Sequence, residues 1–167
     1  MASRPVPVSS DALRNVLGRR AATVAIATAR VGERVHGMTV TAFTEVSLDP
    51  PLVLVCADKT SDTHPVIAAG GVFALNLLAS DQALLSNRFA SKKDEARRFE
   101  GIAWETEATG APILPGTLAA LDCRVVAAHD AGDHVIYIGR IEAIRVAEDR
   151  EPLLYHRGCY GVFREPG

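Results

Sequence analysis

The sequence predicts a mainly β fold of the α+β class: a small antiparallel barrel with a few short helices packed outside it. At least six segments have strand-like patterns, and most of them follow one another directly along the chain. Because helices do not alternate regularly with these strands, a doubly wound parallel sheet is disfavoured. No Gly-x-Gly-x-x-Gly segment follows a strand, so a Rossmann-type nucleotide site has no support.

The first elements are a short helix and three strands. Ser9 or Ser10 can cap a helix that runs to about residue 19, with Leu13, Val16 and Leu17 on its inner face. Apolar or alternating patterns predict strands at residues 22–29, 35–43 and 51–57, and the last of these, being almost wholly apolar, is expected to be buried. The segment 47–51, which ends in two prolines, is expected to interrupt the sheet.

Two more helices and two hairpins complete the predicted fold. Asp62 or Thr63 caps a helix to residue 70, a strand covers 72–78, and a helix runs from 80 to about 89. The charged segment 91–100 is predicted to be a mobile surface loop. Residues 118–129 and 133–146 form a long hairpin around Gly132, and 153–157 and 160–163 form a short one around Gly158.

Composition limits the class of protein. The chain has 167 residues and a formal net charge of −2, so neither a nucleic-acid groove nor a polybasic membrane patch is expected. No apolar run reaches membrane-spanning length, and residues 1–10 lack a signal-peptide pattern and are predicted to be a flexible tail. Cys56, Cys123 and Cys159 are widely spaced, which fits reduced thiols in a cytoplasmic protein, and no metal-ligand spacing occurs.

A strand with unusually small side chains raises the first functional question. Over residues 37–43, Met38, Val40 and Ala42 alternate with Thr39 and Thr41. Such a strand either forms a closely packed sheet face or leaves room for a flat ligand, whose polar atoms the backbone and the threonine hydroxyls can bond. Threonine is also simply a common strand residue, so this pattern alone favours the first interpretation.

Other stretches could bind anions or rings. The segment 56–63 places hydroxyls, Lys59 and free amides before a helix, which suits a phosphate but also an ordinary capped loop. Arg88 can reach an anion or complement a helix end, while Phe89 fills the core. His134 lies at a hairpin turn, where a hydrogen-bonded surface role is the commoner one.

The segment Tyr155-His156-Arg157-Gly158 combines an aromatic ring, an imidazole and a guanidinium. That combination suits stacking and charge on a dinucleotide, or equally an edge strand protected by charge. No catalytic triad or paired-acid motif is evident, so hydrolytic chemistry has little support.

Taken together and in this order, the segments resemble a known family. The segments are 36–43, 46–53, 73–78, Arg88-Phe89, 132–134 and 153–158. With them the chain resembles the short-chain flavin reductases of two-component flavin monooxygenase systems, which have the FMN-binding split-barrel fold. The likeness extends from about Leu13 to Gly161, so the whole chain is expected to be one flavin reductase-like domain.

The resemblance implies roles for specific residues. The flavin ring, of FMN or FAD, is expected to lie against Thr39, Val40, Thr41 and Ala42. The ribityl chain and phosphate are expected at Cys56, Ala57, Asp58, Lys59, Ser61 and Thr63, with help from Arg88 and Phe89. His134, Tyr155, His156, Arg157 and Gly158 are expected to meet the nicotinamide nucleotide, NADH or possibly NADPH. His134 is the candidate for positioning the nicotinamide, and no metal is implied.

The implied activity is hydride transfer from NADH to flavin, after which reduced flavin diffuses to a partner monooxygenase. The resemblance also implies a homodimer with the flavin near the subunit interface. Members of the family often have Asn or Ser where this chain has Thr41, and Ser where it has Ala42. The change to Ala42 removes one potential hydrogen bond, about 1 kcal/mol, and leaves the choice between FMN and FAD open. Two alternatives remain: a reductase of a ferric chelate or a corrin, and a non-enzymatic flavin-binding electron carrier.

Overall fold

The computed structural model describes residues 7–93 and 95–164 of the chain. The helices are α1 (Ser10–Leu17), α2 (Thr63–Gly70) and α3 (Ala83–Ala90), followed by a 3₁₀ turn at Glu95–Arg97. The strands are β1 (Ala22–Thr23), β2 (Ala25–Val31), β3 (Arg34–Val40), β4 (Phe43–Leu48), β5 (Pro51–Asp58), β6 (Val72–Leu77), β7 (Glu105–Thr106), β8 (Pro112–Ile113), β9 (Ala119–Ala131), β10 (His134–Val146), β11 (Leu153–His156) and β12 (Cys159–Val162).

Seven of these strands form one antiparallel sheet in the order β3-β2-β6-β9-β10-β5-β4. Its two edge strands, β3 and β4, are joined only by Thr41 and Ala42. Two linking residues span at most about 11 Å between the flanking Cα atoms, so the sheet must curl until its edges approach each other. The mainly β class with three helices is therefore confirmed. No ladder joins β3 to β4 in the described residues, and a split barrel stays a prediction.

The apolar core lies on both faces of β2 and β6. Inside the curl, Phe73 and Leu75 pack with Val55 and the small residues Ala25 and Ala27. On the outer face, Ile26, Leu78, Phe89 and others form a second cluster that seats α3. Helix α3 packs closely against β3 at Gly37, which has no side chain. A Cβ added there would lie only 2.9 Å from the Phe89 ring.

Both predicted hairpins are confirmed. Strands β9 and β10 are paired along their length and turn at Gly132, whose φ of +65° suits a residue without a side chain. Strands β11 and β12 turn at Arg157 and Gly158, with φ values of +50° and +82°. This short hairpin joins β1 in a separate three-stranded sheet, while β7 and β8 form a two-stranded one.

The predicted strand 35–43 is wrong in its extent. It ends at Val40, and a separate strand, β4, begins at Phe43 and continues to the predicted break. The chain changes partner between the two strands, since the Ala42 carbonyl accepts a hydrogen bond from the Cys56 amide on β5. The strand-like sequence pattern therefore extends over the point where the chain changes its pairing partner, because neither Gly nor Pro occurs there.

The helix predicted from residue 80 begins three residues later. The Ser80 amide donates to the Glu151 carbonyl, and Ala79 pairs with Pro152 as an isolated β-bridge. Tertiary pairing therefore holds this segment in an extended form and delays the helix to Ala83.

The prediction for the apolar face of α1 is also wrong. Leu13, Val16 and Leu17 are 50–61% exposed, because no described part of the chain covers the apolar side of α1. Most described residues of the segment 91–100 are exposed, as expected of a surface loop, but one of them is anchored in the core. Its Arg98 is 3% exposed and donates to the carbonyls of Gly37 and Ser91. No described helix is long and apolar enough to cross a membrane.

Candidate functional site

One cleft gathers residues from both predicted nucleotide-binding sets. It encloses about 220 Å³ between the end of β3, one side of α3 and the β11–β12 hairpin. Its lining residues are Val24, Thr39, Thr41, Ser86, Asn87, Ala90, Tyr155, Gly158 and Tyr160. Thr39 and Thr41 were predicted to contact the flavin, and Tyr155 and Gly158 to contact the nicotinamide. The structure places these two pairs around the same opening.

The polar lining of this cleft is held in place by internal hydrogen bonds. The Thr39 hydroxyl donates to the Ser86 carbonyl at 2.6 Å, which ties β3 to α3. The Tyr160 hydroxyl lies 2.8 Å from Ser86 Oγ and 2.9 Å from Asn87 Oδ1. The Thr41 hydroxyl has no hydrogen-bond partner in the described part of the chain, so it is available to a ligand.

Only part of the segment 39–42 faces the cleft. Val40 is 8% exposed and packs into the core, so its side chain does not reach the opening. Ala42 is exposed and lies beyond the end of β3. Its carbonyl bonds to the Cys56 amide at 2.9 Å and thereby connects the cleft wall to the predicted phosphate-binding segment. Contact of all four residues with a flavin stays a prediction.

The segment 56–59 lies beside the tip of the β9–β10 hairpin. The Lys59 ammonium donates to the Gly132 carbonyl at 2.9 Å and pairs with Asp130 at 2.8 Å. Hydrogen bonds from the amide and hydroxyl of Thr60 lower the pKa of the Asp58 carboxyl. Because Lys59 is already paired and Asp58 is ionised, this segment offers a phosphate less free positive charge than its composition indicated.

The loop before α2 is capped differently from the prediction. Asp62 makes no side-chain capping bond, whereas Ser61 Oγ accepts from the His64 amide at 3.2 Å. Thr63 is buried, with its hydroxyl 2.7 Å from His36 Nδ1, and Ala57 is fully buried as well. The side chains of Thr63 and Ala57 therefore serve packing, and any ligand would meet this loop through its exposed atoms.

Arg88 and Phe89 point away from the cleft that their neighbours line. The Arg88 guanidinium donates to the carbonyls of Arg97 and Glu100, which fastens the segment after α3 to this helix. Phe89 is fully buried and stacks edge-on against Phe99 at a centroid distance of 5.2 Å. Arg88 thus holds the following segment against α3. Phe89 lies one turn beyond Ser86 on the buried face of the helix and packs into the core. Contact of either residue with a flavin stays a prediction.

The predicted nicotinamide residues are divided between two places. Tyr155 and Gly158 line the cleft, and Arg157 lines a neighbouring groove with Gly158. His156 is exposed on β11 opposite Cys159. His134 lies at the start of β10, opposite Asp58 on β5, with its Nδ1 2.7 Å from Asp133 Oδ1. It does not line the cleft, so its predicted role depends on how far a bound nucleotide extends.

Sequence reasoning missed five of the lining residues, the apolar Val24 and Ala90 and three polar ones. Ser86 and Asn87 come from α3, and Tyr160 comes from β12. Asn87 directly precedes the Arg88-Phe89 motif, and Tyr160 lies opposite Tyr155 in the predicted hairpin. The hairpin register could have found Tyr160, because paired residues of a hairpin share a face. Nothing local distinguishes Ser86.

A possible metal-ligand cluster lies behind β3. His36, Asp62 and Glu95 each offer one ligand atom, all within 4.8 Å of one another. Spacing along the chain could not reveal this group, because its members are far apart in sequence. The Arg98 guanidinium lies 3.3 Å from the Glu95 carboxylate, and burial together with Arg98 lowers the pKa of His36. Arg98 thus already supplies the positive charge that Glu95 needs, and a cation has little support.

The arrangement fits a flat, polar heterocycle better than a covalent catalyst. The cleft has small side chains on its walls, hydroxyl and amide groups at defined positions and two tyrosines at one side. Arg20 adds positive charge nearby, since its guanidinium lies 3.4 Å from the Thr41 carbonyl. Burial raises the pKa of the Cys56 thiol, which therefore stays protonated and is no nucleophile near neutral pH.

Comparisons with known proteins agree with this geometry. The family model described as "flavin reductase like domain" matches residues 17–164. The chain is 44% identical over 156 residues to FMN reductase (NADH) SmoA of Agrobacterium fabrum, an alignment that covers 93% of this chain and 87% of that protein. It is 38% identical over 147 residues to the reductase subunit HsaB of a flavin-dependent monooxygenase of Rhodococcus jostii, with coverages of 88% and 74%.

Solved structures lead to the same family. The NADH:FAD oxidoreductase SgcE6 of Streptomyces globisporus, in complex with NAD and FAD fragments, superposes with a TM-score of 0.89 and 32% identity over 98% of both chains. Flavin reductase PheA2 superposes with a TM-score of 0.84 and 34% identity over 95% of this chain and 100% of that one. The family predicted from the sequence is confirmed: this chain belongs to the flavin reductase-like domain family.

Proposed function

We propose that this chain is an NADH-dependent flavin reductase that reduces FMN or FAD and supplies the reduced flavin to a separate monooxygenase. The observation that carries the proposal is the cleft between β3, α3 and the β11–β12 hairpin. Hydride transfer requires two flat rings in contact. Two of the predicted flavin residues, Thr39 and Thr41, and two of the predicted nicotinamide residues, Tyr155 and Gly158, line this one cleft, which supports the proposal. Relatives named as NADH-dependent FMN and flavin reductases support the same donor and acceptor.

Within this proposal the protein's contribution is binding and orientation. Flavin, when bound, supplies the hydride-accepting chemistry, and NADH supplies the hydride. The free Thr41 hydroxyl and the backbone of β3 can hold the polar edge of a ring, while Thr39 keeps the strand fixed to α3. Tyr155 and Tyr160, 5.5 Å apart between centroids, form an aromatic side wall. The Arg20 guanidinium, which lies beside Thr41, would stabilise negative charge that develops on a ring bound at this position.

The proposal includes a monooxygenase partner and a homodimer. HsaB is named as the reductase subunit of a flavin-dependent monooxygenase, and BorF as the flavin reductase component of a two-component tryptophan halogenase. Large apolar side chains are exposed in several places on this chain, notably Leu48, Leu84, Ile144 and Val146 at 66–92%. Such exposure supports association with a second copy. Light scattering of the purified chain would contradict the dimer if it gave the mass of one chain.

Two further expectations belong to the proposal. The residues 1–167 are taken as a single domain, of which the family match spans 17–164. A cytoplasmic location is supported by three free thiols, Cys56, Cys123 and Cys159. Dependence on NADPH instead of NADH is tested in the same assay as the activity.

The decisive experiment is the rate of NADH oxidation with and without added FMN or FAD. A rate that rises with free flavin is expected, and the flavin with the higher kcat/KM is the substrate. Tight flavin binding without NADH oxidation would contradict the proposal and favour an electron carrier. A yellow protein that turns over only with a ferric chelate or corrin would favour a reductase of another acceptor.

The placement of the ring is tested separately with Thr41→Trp. The indole would fill much of a cleft of about 220 Å³, so flavin binding should be lost while the fold is kept. Thr106→Trp, which makes the same change at an exposed position outside the lining, is the matched control. Normal flavin titration in the Thr41→Trp protein would refute the ring position without bearing on the family.

A further inference from the structure

A second opening adjoins the cleft and is lined by arginines. It measures about 540 Å³ and lies between the C-terminal end of α1 and the β11–β12 hairpin. Its lining residues are Arg14, Asn15, Gly18, Arg19, Tyr155, Arg157 and Gly158. Because Tyr155 and Gly158 line both openings, a ligand in the cleft can extend into this arginine groove.

The positive charge of the arginine groove is almost uncompensated. Arg14 makes one exposed contact of 3.5 Å with Asp11. In residues 7–93 and 95–164, the side chains of Arg19 and Arg157 have neither a hydrogen bond nor an ion pair. The chain carries 20 acidic and 18 basic residues, so three converging arginines do not follow from its composition. A phosphate group is the natural ligand for such a set.

Free carbonyl groups at the C-terminus of a helix carry partial negative charge and usually disfavour an anion, but those at the end of α1 are already hydrogen-bonded. The carbonyls of Val16 and Leu17 accept from the amides of Arg19 and Arg20, and the Gly18 carbonyl accepts from the Arg157 amide at 2.9 Å. With these acceptors occupied, the groove presents mainly guanidinium donors.

The backbone at Arg157 gives an independent indication. Its φ of +50° lies in the left-handed region, which costs most L-residues about 1–2 kcal/mol and which Gly or Asn tolerates better. The side chain is exposed and contributes nothing to the core. Packing therefore does not account for an arginine at this position, whereas a ligand that uses its charge does.

We propose that the arginine groove binds the adenosine diphosphate portion of a dinucleotide substrate, with the diphosphate against Arg14, Arg19 and Arg157. This proposal rests on the proposed function, because the adjoining cleft then holds the reacting ring of the same molecule. NADH and FAD both carry this portion, whereas FMN and reduced nicotinamide mononucleotide lack it. The groove thus makes this chain selective for a dinucleotide over the corresponding mononucleotide.

The test uses ADP as a probe and two variants. Calorimetry measures ADP binding to the wild-type protein, to Arg14→Gln/Arg19→Gln and to Arg157→Asn. The matched control is Arg34→Gln/Arg124→Gln, which removes the same charge from exposed positions outside the groove. We expect ADP to bind the wild type and the control equally, and each groove variant about tenfold or more weakly.

Kinetics then identify which dinucleotide uses the groove. If NADH does, KM for NADH rises about tenfold in the groove variants and KM for reduced nicotinamide mononucleotide stays unchanged. If FAD does, the affinity for FAD falls and the affinity for FMN does not. Failure of the wild type to bind ADP would overturn the proposal, as would groove variants that bind ADP, NADH and FAD normally. Binding of ADP that depends on these arginines, in a protein with no NADH oxidation, would support the groove and refute the proposed function.

Discussion

Replacing Arg157 by Asn should make the protein more stable while it weakens nucleotide binding. Arg157 and Gly158 form the turn between β11 and β12, and both have positive φ. Two-residue hairpin turns of this kind favour Asn-Gly, because Asn adopts the left-handed conformation more readily than arginine does. The change therefore keeps the turn and removes its strained residue.

The size of the effect follows from what the substitution leaves intact. The Arg157 amide bond to the Gly18 carbonyl is a backbone interaction and persists in the variant. The arginine side chain is exposed and has no described partner, so its removal costs little. Relief of the backbone strain then dominates, and we expect a gain of about 0.5–1 kcal/mol in the free energy of unfolding. For a chain of this length that corresponds to a rise in Tm of roughly 1–4 °C.

Thermal and urea unfolding of the wild type, Arg157→Asn and Arg157→Lys provide the assay. Lys keeps a positive charge and the strained backbone, so its Tm should match the wild type. A Tm of Arg157→Asn below that of the wild type would refute the reasoning, because it would mean that the side chain supports the fold. The combination of a higher Tm and weaker ADP binding is the signature of a residue retained for its ligand.

Three other predictions concern single side chains. His134→Ala should raise KM for NADH about fivefold and leave flavin affinity nearly unchanged, as one lost hydrogen bond would, and unchanged NADH kinetics would remove His134 from the site. Arg98→Met should lower the free energy of unfolding by about 3 kcal/mol or more, since it leaves the Gly37 carbonyl and the half-buried Glu95 carboxylate without the buried guanidinium. A Tm drop under about 3 °C would contradict this. Burial lowers the pKa of His36 from 6.5, so the stability that its neutral form contributes is complete above that pH and is lost as the pH falls through the lower folded-state pKa. The Tm of His36→Gln should therefore fall less on acidification than the Tm of the wild type. An equal change of Tm with pH in the two proteins would contradict this.

Sequence reasoning located best the elements that end at a glycine required by the local backbone conformation. The long hairpin and the short one both turn at glycines, Gly132 and Gly158, which need positive φ. Helix α2 ends at Gly70 before Gly71 in the left-handed conformation, as predicted. In each case the signal is a residue whose conformational freedom is required at that point, so one sequence suffices to find it.

The errors occurred where a distant part of the chain decides the local structure. Thr41 and Ala42 interrupt two strands because β5 offers a new partner, and the local pattern carries no trace of it. The charged segment 91–100 was predicted to be a surface loop, but its Arg98 is buried and donates hydrogen bonds to the carbonyls of Gly37 and Ser91. A buried arginine looks like an exposed one in sequence until its acceptors are known.

Motifs in the sequence identified four residues that line the cleft, but not its other walls. Thr39, Thr41, Tyr155 and Gly158 were chosen from motifs and lie around one cleft. Ser86 and Asn87 were not chosen, because their role depends on which side of α3 faces β3. The motif arginine, Arg88, turned out to fasten a loop, while Arg14 and Arg19, which belong to no motif, line the groove.

Gly37 affects the width of the cleft through the packing of α3 against β3. The close approach of α3 to β3 depends on the missing side chain at this position, beneath the Phe89 ring. The same helix carries Ser86 and Asn87, so the distance between the walls of the cleft depends on a residue that is not part of its lining. A methyl group at Gly37 would push α3 outward and widen the cleft. A bound ring could then keep its hydrogen bonds at the edges, but its face would be poorly aligned. Under the proposed function, selectivity for flat molecules would therefore depend on packing in the core as much as on the polar groups that line the cleft.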